Sequence, residues 1–408
     1  MASIRSAPRR LDPESLRQQA PRIRDACLAR RDAWIELCLE LTRLESPSRD
    51  PASQEPVLAL LATRLRAAGL QVVRWRGRRP AISGGGLLAH PPKPRPTRSP
   101  RQLLIGHCDT VWPLGTLTDM PARRDGALLR GPGIYDMKAG LAMIVTALEV
   151  LRQLDLEPPL LPMVLVNSDE EIGSHDSRTT LRRMARVAER VLVLEPSLGP
   201  EGRLKTARKG IGRFTVRVQG RAAHAGLDPE KGISAILELS HVIQKLFALN
   251  DTRRGITLNV GTVDGGLRTN VVAPESRAEI DVRVPTEELA LEVERAIRAL
   301  EPSLPGVVLE IDGAFGRPPM EPTPRNRRLW RLAAELADVL GLPLDEAMVG
   351  GGSDGNITSP LTATLDGLGA VGAGAHAQHE QVDIERTLER LALLTLLLLA
   401  PSPEEAPP

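Results

Sequence analysis

Short apolar segments alternate with amphipathic helical segments between residues 102 and 195, and this alternation constrains the fold most strongly. Apolar residues recur at helical spacing over Lys138–Leu154 and near Ser177–Ala188. Strands that alternate with helices are typical of α/β layers built around a mostly parallel sheet. The strand-type segments are QLLIG at Gln102–Gly106, MVLV at Met163–Val166 and VLVL at Val191–Leu194.

Polar residues follow each of these predicted strands. His107 and Asp109 follow the first strand, Glu170 and Glu171 the second, and Glu195 the third. Ligands of open α/β sheets bind outside the carboxyl ends of the strands, so we expect these side chains to share one location. Two adjacent acids at the mouth of a sheet repel each other and lose hydration, which indicates that a cation or a shared proton compensates them.

The N-terminal region is less regular. Residues 1 to about 30 are rich in Arg and interrupted by Pro, and we expect a loosely ordered lead. Helices are predicted at Asp32–Leu44 and Glu55–Ala68, followed by a strand at Leu70–Trp75. The segment Arg76–Arg101 contains a Pro-rich insertion near residues 93–100, and its composition predicts a surface loop or hairpin tip.

The pattern changes after Gly210. The predicted order βαββαβ is that of a split ferredoxin-like unit, inserted into the first domain. The predicted boundaries are 1–209 for the first part of the large domain, 210–321 for the inserted domain, and 322–408 for the second part of the large domain. The predicted elements of the insertion are Phe214–Val218, Ile233–Leu249, Ile256–Val263, Ser276–Val284, Thr286–Leu300 and Val307–Ile311.

Composition excludes several classes of protein. The 408 residues are 42% hydrophobic and 25% charged, as in ordinary globular proteins. A formal charge of +2 leaves no excess to hold a phosphate backbone, so we expect no nucleic-acid partner. Three cysteines without a paired framework indicate reduced thiols and a cytoplasmic location. The apolar run Leu391–Ala400 is too short to span a membrane and predicts a buried helix.

Five residues of this chain are candidate ligands for transition metals. They are three carboxylates and two imidazoles: Asp136, Glu171, Glu195, His107 and His376. This mixture of ligands suits zinc, or cobalt and manganese in the same site, better than calcium or magnesium. Five ligands exceed the needs of one tetrahedral zinc. With one carboxylate bridging, they suit two ions about 3.5 to 4 Å apart.

Three further residues are candidates for supporting roles at this site. Asp109 lies two residues after His107 on the same strand face, where it is placed to hold the second nitrogen of that imidazole. His379 competes with His376 as a ligand. Asp354 lies in the glycine-rich turn GGGSDGN, which is predicted either to supply backbone near a substrate or to act only as a turn.

Nine motifs occur in a fixed order along the chain, and together they resemble the di-zinc amidohydrolase family. That family includes glutamate carboxypeptidase, acetylornithine deacetylase and succinyl-diaminopimelate desuccinylase. The resemblance runs from about residue 32 to about residue 400, with Tyr135 as a departure where a smaller residue is expected. The motifs are GHCDTVW at Gly106, GPGIYDMKAGLA at Gly131, SDEEIGS at Ser168, LEP at Leu194, GRAAHAG at Gly220, NVV at Asn270, DVR at Asp281, GGGSDGN at Gly350 and GAH at Gly374.

The resemblance implies a zinc-binding catalytic domain and an inserted lid domain that forms a homodimer. It implies that Asp136 bridges two zinc ions, with His107 and Glu195 on one ion and Glu171 and His376 on the other. A cis peptide bond is implied after the bridging aspartate.

The resemblance also divides the acid pair, with Glu170 as the general base and Glu171 as the metal ligand. Side chains of adjacent residues diverge, so one acid can hold a metal while the other faces the reacting water. Asp109 is implied to support the metal ligand His107.

Five residues are candidates for contact with the substrate. The resemblance implies that His224 stabilises the oxyanion in the active site of the other subunit, and that Asn270 and Arg283 bind the substrate carboxylate. Arg203 and Arg317 are further candidates, because guanidinium groups bind carboxylates bidentately.

These inferences predict a dimeric di-zinc hydrolase that cleaves the amide bond of a short peptide or N-acyl amino acid with a free carboxylate. The segment GHCDTVWPLGTL is nearer to the glutamate carboxypeptidase branch. One alternative is an N-acyl amino acid deacylase such as acetylornithine deacetylase or succinyl-diaminopimelate desuccinylase. Another alternative is a metal-free homologue kept for binding, which predicts that a ligand or base is lost. None is lost here.

Overall fold

The computed structural model describes residues 13–79, 82–92 and 99–402, which form two compact units. The large unit contains the chain up to Thr206, Pro322–Ala347 and the chain from Ser353 onwards. The inserted unit contains Ala207–Glu321 and Met348–Gly352. The predicted boundaries lie within a few residues of these, except that Met348–Gly352 joins the inserted unit.

The large unit begins with three helices, a strand hairpin and the first βα repeats. Its elements before the insertion are α1 Pro13–Ala29, α2 Arg31–Arg43, α3 Gln54–Ala67, β1 Gln71–Trp75, β2 Gly86–His90, β3 Arg101–His107, β4 Arg123–Asp125, β5 Leu128–Arg130, α4 Ala139–Gln153, β6 Leu161–Asn167, α5 Arg178–Ala185, β7 Arg190–Val193 and β8 Leu204–Arg208, which runs into the inserted unit.

The chain then forms the inserted unit and returns to complete the large unit. The inserted elements are β9 Gly210–Gln219, α6 Ala235–Phe247, β10 Thr257–Gly265, β11 Glu275–Val284, α7 Glu287–Arg298 and β12 Val308–Arg317. The elements after the insertion are α8 Pro324–Val339, β13 Glu346–Val349, α9 Asp354–Thr358, β14 Ala363–Leu365, β15 Gly372–Ala373, β16 Gln381–Asp383 and α10 Ile384–Leu399.

A six-stranded sheet with the order β1-β2-β6-β3-β7-β14 organises the large unit. Strands β6, β3, β7 and β14 are parallel, whereas β2 pairs antiparallel with β1 and β6. Successive residues of β3 face opposite sides, as the pleat requires. Leu104 packs into the core with α1 to α4, α8 and α10, and Leu103 packs against α5 on the other side. The prediction of a mostly parallel α/β sheet is confirmed.

The prediction of a loosely ordered lead is wrong for the residues from Pro13 onwards. Helix α1 packs against α10, and Leu16, Ala20, Ile23 and Cys27 are buried between the two helices. These residues recur at intervals of three and four, which is the spacing of an amphipathic helix. The abundance of Arg and Pro obscured this pattern in the sequence.

The prediction of a surface loop over Arg76–Arg101 is also wrong in part. Strand β2 lies inside this segment, between β1 and β6, and its Leu87 is fully buried. Gly86 permits the close packing here, because a Cβ at this residue would meet the carbonyl oxygen of Val166 at 2.4 Å. Most of the Pro-rich insertion near residues 93–100 lies outside the described residues.

The inserted unit is an antiparallel sheet with the order β10-β11-β9-β12, covered by α6 and α7. Phe214, Val216 and Val218 alternate along β9 and fill its core. Both helices begin at a hydroxyl cap, with Ser234 accepting from the Leu237 amide and Thr286 from the Leu289 amide. The predicted βαββαβ order is confirmed.

The apolar C-terminal run is buried, as predicted. Leu391, Leu394 and Leu398 on α10 are fully buried in the large core. Within residues 13–79, 82–92 and 99–402, no helix is long and apolar enough to cross a membrane.

Candidate metal centre and active site

The strand order of the large sheet brings the predicted ligands together. Strand β3 lies between β6 and β7, and His107 at its end pairs in register with Asn167 at the end of β6. Glu170 follows β6 and Glu195 follows β7. Ligand atoms of His107, Glu170 and Glu195 lie within 4.8 Å of one another, as do those of His107, Asp136 and Glu171.

The Asp136 carboxylate lies between two imidazoles. Its Oδ1 is 3.3 Å from His107 Nε2, and its Oδ2 is 3.4 Å from His376 Nε2. Each imidazole also contacts one glutamate, with His107 3.4 Å from Glu195 Oε1 and His376 3.3 Å from Glu171 Oε2. The contacts thus divide the five residues into two sets that share Asp136. His376, rather than His379, contacts these acids.

Three buried atoms of this cluster suit a bound cation. Among the described residues, His107 Nε2, Asp136 Oδ1 and Glu171 Oε1 have no hydrogen-bond partner. Buried polar atoms are almost always paired, so such orphaned atoms require an explanation. Lone pairs of imidazole nitrogen and carboxylate oxygen directed at one small volume are what a transition metal requires. The donor set therefore fits two metal ions.

Burial and close contacts among these side chains also shift their pKa values. Burial raises the pKa of Glu171 to about 8 and also raises the pKa of Glu195, where the charge of Asp136 adds to the effect. Hydrogen bonds to Asp136 and Glu171 raise the pKa of His376 to about 10. A cation at this site displaces protons, because it needs deprotonated ligands.

The Asp109 carboxylate holds the turn that carries the acid pair. It accepts the backbone amides of Glu170 and Glu171, each at 3.2 Å, and the hydroxyl of Ser48 at 2.7 Å. His107 Nδ1 lies 2.9 Å from the backbone oxygen of Asp109 and 3.5 Å from its Oδ1. The backbone of Asp109 therefore orients the imidazole more directly than the carboxylate does.

The loop with Asp136 has the backbone that the resemblance implies. The Asp136–Met137 peptide bond is cis. Tyr135, the residue that departs from the family pattern, is buried, and its hydroxyl donates to the carbonyl oxygen of Ser197 at 2.6 Å. The larger side chain therefore anchors this loop to the segment after Glu195.

Three buried residues support the site, and two of them, Lys138 and Glu380, were not singled out from the sequence. Asp354, which the sequence left as a possible turn residue, accepts from Asn167 and Ser174 and so ties α9 to the end of β6. Lys138 is buried and donates to the carbonyl oxygen of Leu44 at 2.7 Å. Glu380 is buried beside the Asp136 loop. Their partners are distant in sequence, so no local motif revealed them.

A cavity of about 560 Å³ adjoins Glu171. Its apolar wall contains Val111, Leu114 and Ile172, and Arg49 adds one cationic group. Cavities of this size and character hold small-molecule ligands.

Comparison with known proteins identifies the family. Residues 206–301 match the family described as the peptidase dimerisation domain. The chain is 30% identical over 308 residues to carboxypeptidase G2 from Pseudomonas sp. (strain RS-16), which covers 73% of each protein. The chain belongs to the M20 metallopeptidase family. The predicted di-zinc amidohydrolase resemblance is thereby confirmed.

Solved structures show the same fold as this M20 peptidase. The aminopeptidase PepT from Bacillus cereus superposes with a TM-score of 0.72 at 20% identity, covering 90% of this chain and 98% of that one. The Bacillus subtilis YXEP protein, described as a dinuclear metal binding peptidase of the M20 family, has a TM-score of 0.68 at 15% identity, covering 91% and 98%.

The remaining candidate residues of the M20 peptidase lie mainly in the inserted unit. His224 and Asn270 are exposed, and His224 Nδ1 accepts the amides of Gly226 and Leu227, each at 3.1 Å. Arg283 binds both carboxylate oxygens of Asp281, at 2.6 and 3.0 Å.

The two other arginines differ in burial. Arg317 is 6% exposed on β12 of the inserted unit. Arg203 lies in the large unit, 4.0 Å from Glu201 Oε2, and both side chains are well exposed.

Proposed function

We propose that this M20 metallopeptidase hydrolyses the amide bond of a short peptide or N-acyl amino acid with a free carboxylate. One observation carries the proposal: Asp136 lies between His107 and His376, with the acid pair beside it. This arrangement supports metal-dependent hydrolysis, because it combines a bridging carboxylate with a second acid that can carry a proton. The likeness to carboxypeptidase G2 supports the same reaction class.

We assign the ligands by the contacts described above. His107 and Glu195 hold one ion, Glu171 and His376 hold the other, and Asp136 bridges them. The mixed oxygen and nitrogen donors favour zinc, with cobalt or manganese able to occupy the same site. When bound, the ions polarise the substrate carbonyl and lower the pKa of water.

Glu170 is the proton carrier in this proposal. The residue is 7% exposed, and the hydrogen bond from its amide to Asp109 fixes the backbone beside the metal ligands. The carboxylate accepts a proton from water as the water oxygen adds to the amide carbon. It then donates that proton to the nitrogen as the C–N bond breaks, which leaves a free amine and a carboxylic acid that loses its proton to solvent.

The inserted unit recognises the substrate in this proposal. His224 donates to the oxyanion, and Asn270 and Arg283 bind the free carboxylate. The bonds to Nδ1 of His224 mean that this nitrogen is the acceptor, so Nε2 carries the proton that the imidazole can donate. Arg203 and Arg317 are weaker candidates for the same carboxylate.

The cavity beside Glu171 receives the part of the substrate on the acyl side. Its apolar wall suits an acyl group or side chain larger than acetyl, which favours a carboxypeptidase-like substrate over a simple deacetylase substrate.

A homodimer formed by the inserted unit completes the proposal, because the family resemblance places His224 in the site of the other subunit. Large apolar side chains are exposed along α6 and near β10, where they are available to a second copy. They are Ile236, Leu237, Phe247, Val263 and Leu267. A cytoplasmic location stays a prediction.

Metal analysis of protein purified without chelator tests the proposal. We expect two ions per chain, and fewer than one ion per chain would overturn the hydrolase. A screen of N-acyl amino acids and dipeptides, followed by release of the free amine, then identifies the acyl group and the preferred amino acid. Chelator treatment should abolish the amine release, and added zinc should restore it.

A further inference from the structure

We propose that Glu380 is a positioning residue that holds Asp136 and His376 in place and thereby sets the affinity of one of the two metal ions. The inference rests on the proposed function, because it assumes two ions with Asp136 between them. Glu380 is 1% exposed and contacts the backbone around Asp136 rather than a metal-ligand side chain.

Four N–H groups converge on the Glu380 carboxylate. Oε1 accepts the amides of Tyr135 at 2.9 Å and Asp136 at 3.0 Å. Oε2 accepts the amide of Gly133 at 2.9 Å and the indole N–H of Trp112 at 2.8 Å. A buried carboxylate that accepts several hydrogen bonds fixes its donors strongly, since charge-assisted bonds are about twice as strong as neutral ones. Glu380 therefore fixes the loop from which the Asp136 side chain extends.

Glu380 itself belongs to the segment that carries His376. The Glu380 amide donates to the Ala377 carbonyl at 2.9 Å, and the Ala377 amide donates to the Gly374 carbonyl at 2.9 Å. His376 lies inside this folded segment with a positive φ of 60°, which few residues other than glycine adopt. Glu380 thus links the loops of two ligands that are 240 residues apart, as their numbers 136 and 376 show.

Both ions share Asp136, but the remaining ligands of the other ion depend on different supports. His107 ends the central strand β3, and its Nδ1 is held by the backbone of Asp109. Glu195 follows strand β7. Loss of the Glu380 contacts should therefore weaken the ion at Glu171 and His376 more than the ion at His107 and Glu195.

A carboxylate is needed because all four partners are donors. Glutamine at position 380 has one oxygen acceptor and one amide nitrogen, which is itself a donor. Glu380→Gln retains two of the four hydrogen bonds and places a donor against the other two donors. Trp112→Phe removes a single hydrogen bond to Oε2 and leaves the three amides in place, so it gives a milder version of the same change.

Metal titration of the full-length chain tests the inference. Wild type, Glu380→Gln and Trp112→Phe are stripped with chelator and titrated with Zn²⁺ in competition with a chelating dye. Loss of residues that support metal ligands typically reduces metal affinity 10- to 100-fold. We expect a reduction of about that size for one ion in Glu380→Gln and a smaller reduction for the same ion in Trp112→Phe.

Glu238→Gln is a matched control. Glu238 is also fully buried and accepts two backbone amides, those of Ser303 and Leu304, but it lies in the inserted unit. We expect wild-type affinities for both ions in this variant. If losing any buried carboxylate weakened metal binding by destabilising the protein, the affinities of Glu238→Gln would fall as well.

The outcomes separate the inference from the proposed function. Wild-type protein that binds fewer than two ions would overturn the two-metal site itself. If wild type binds two ions and Glu380→Gln binds both unchanged, or loses affinity for both equally, the positioning role is wrong. Selective weakening of one ion, with the Co²⁺ absorption spectrum of the other site unchanged, supports it.

Discussion

The large unit and the inserted unit place their candidate functional residues in opposite environments. In the large unit, His107, Glu170 and Glu195 are at most 7% exposed and lie within a few ångströms of one another. In the inserted unit, His224 and Asn270 are exposed to solvent, and Arg283 binds Asp281 near the surface.

The two environments differ in how much free energy their polar groups cost. Burial of an ionised group costs several kcal/mol unless an opposite charge compensates it, so the large unit must keep its ligand geometry or lose the cation that stabilises it. Solvated polar residues cost little stability. Substitutions at the candidate substrate-binding residues of the inserted unit should therefore cost less stability than substitutions in the buried cluster of the large unit.

The largest expected effect is that of Glu170→Gln in the large unit. The variant keeps the shape of the side chain but cannot accept the proton, so kcat should fall by about 10³-fold with two ions still bound. Steady-state kinetics and metal analysis of the same sample check this. Glu36→Gln, at an exposed position of α2, is the control. Substantial remaining turnover would show that another group is the base.

His224→Ala should have the next largest effect, with kcat reduced by about 10²-fold through loss of one oxyanion donor. Stability should change by less than about 0.5 kcal/mol, because the side chain is exposed. Mixed dimers of His224→Ala and Glu170→Gln subunits should regain activity if each site uses both chains. Absence of rescue would argue for a site completed within one chain.

Gly140→Ala should lower the stability of the large unit. A Cβ at position 140 of α4 would meet the Leu194 carbonyl oxygen at 2.2 Å, and overpacking of this kind costs about 1–3 kcal/mol. Gly316→Ala in the inserted unit is the control, since no described atom lies within 4 Å of its added Cβ. Equal urea midpoints for the two variants would contradict the close packing of α4 at Gly140.

Arg283→Ala should have the smallest effect on turnover. Loss of one charge-assisted contact to the substrate carboxylate is worth about 1.5–3 kcal/mol, so KM should rise at least tenfold with little change in kcat. The ion pair with Asp281 is partly exposed, so the free energy of unfolding should change by less than about 1 kcal/mol. An unchanged KM for all carboxylate substrates would remove Arg283 from the recognition site.

The sequence predicted the parts of this structure that depend on local pattern. The parallel strands, the ferredoxin-like order and the convergence of His107, Glu171 and Glu195 follow from apolar periodicity and from polar residues after strand ends. Asp136 and His376 lie on irregular segments, so their approach to the same centre rested on the family resemblance.

The remaining features depend on long-range contacts. Helix α1 is ordered by its packing on α10, at the other end of the chain. Strand β2 is defined by its neighbours β1 and β6 more than by its own five residues. The role of Glu380 rests on four donors between Trp112 and Asp136 that are far away in sequence. Composition and periodicity do not report such contacts.

The central position of β3 also bears on how the protein folds. Both of its neighbours, β6 and β7, come later in the chain, and pairing of this kind is non-local and slow because loops must close first. The ligands of the metal centre converge only when these strands have paired. We therefore expect metal uptake during refolding to follow sheet assembly, so that the rate of metal binding reports completion of the native state.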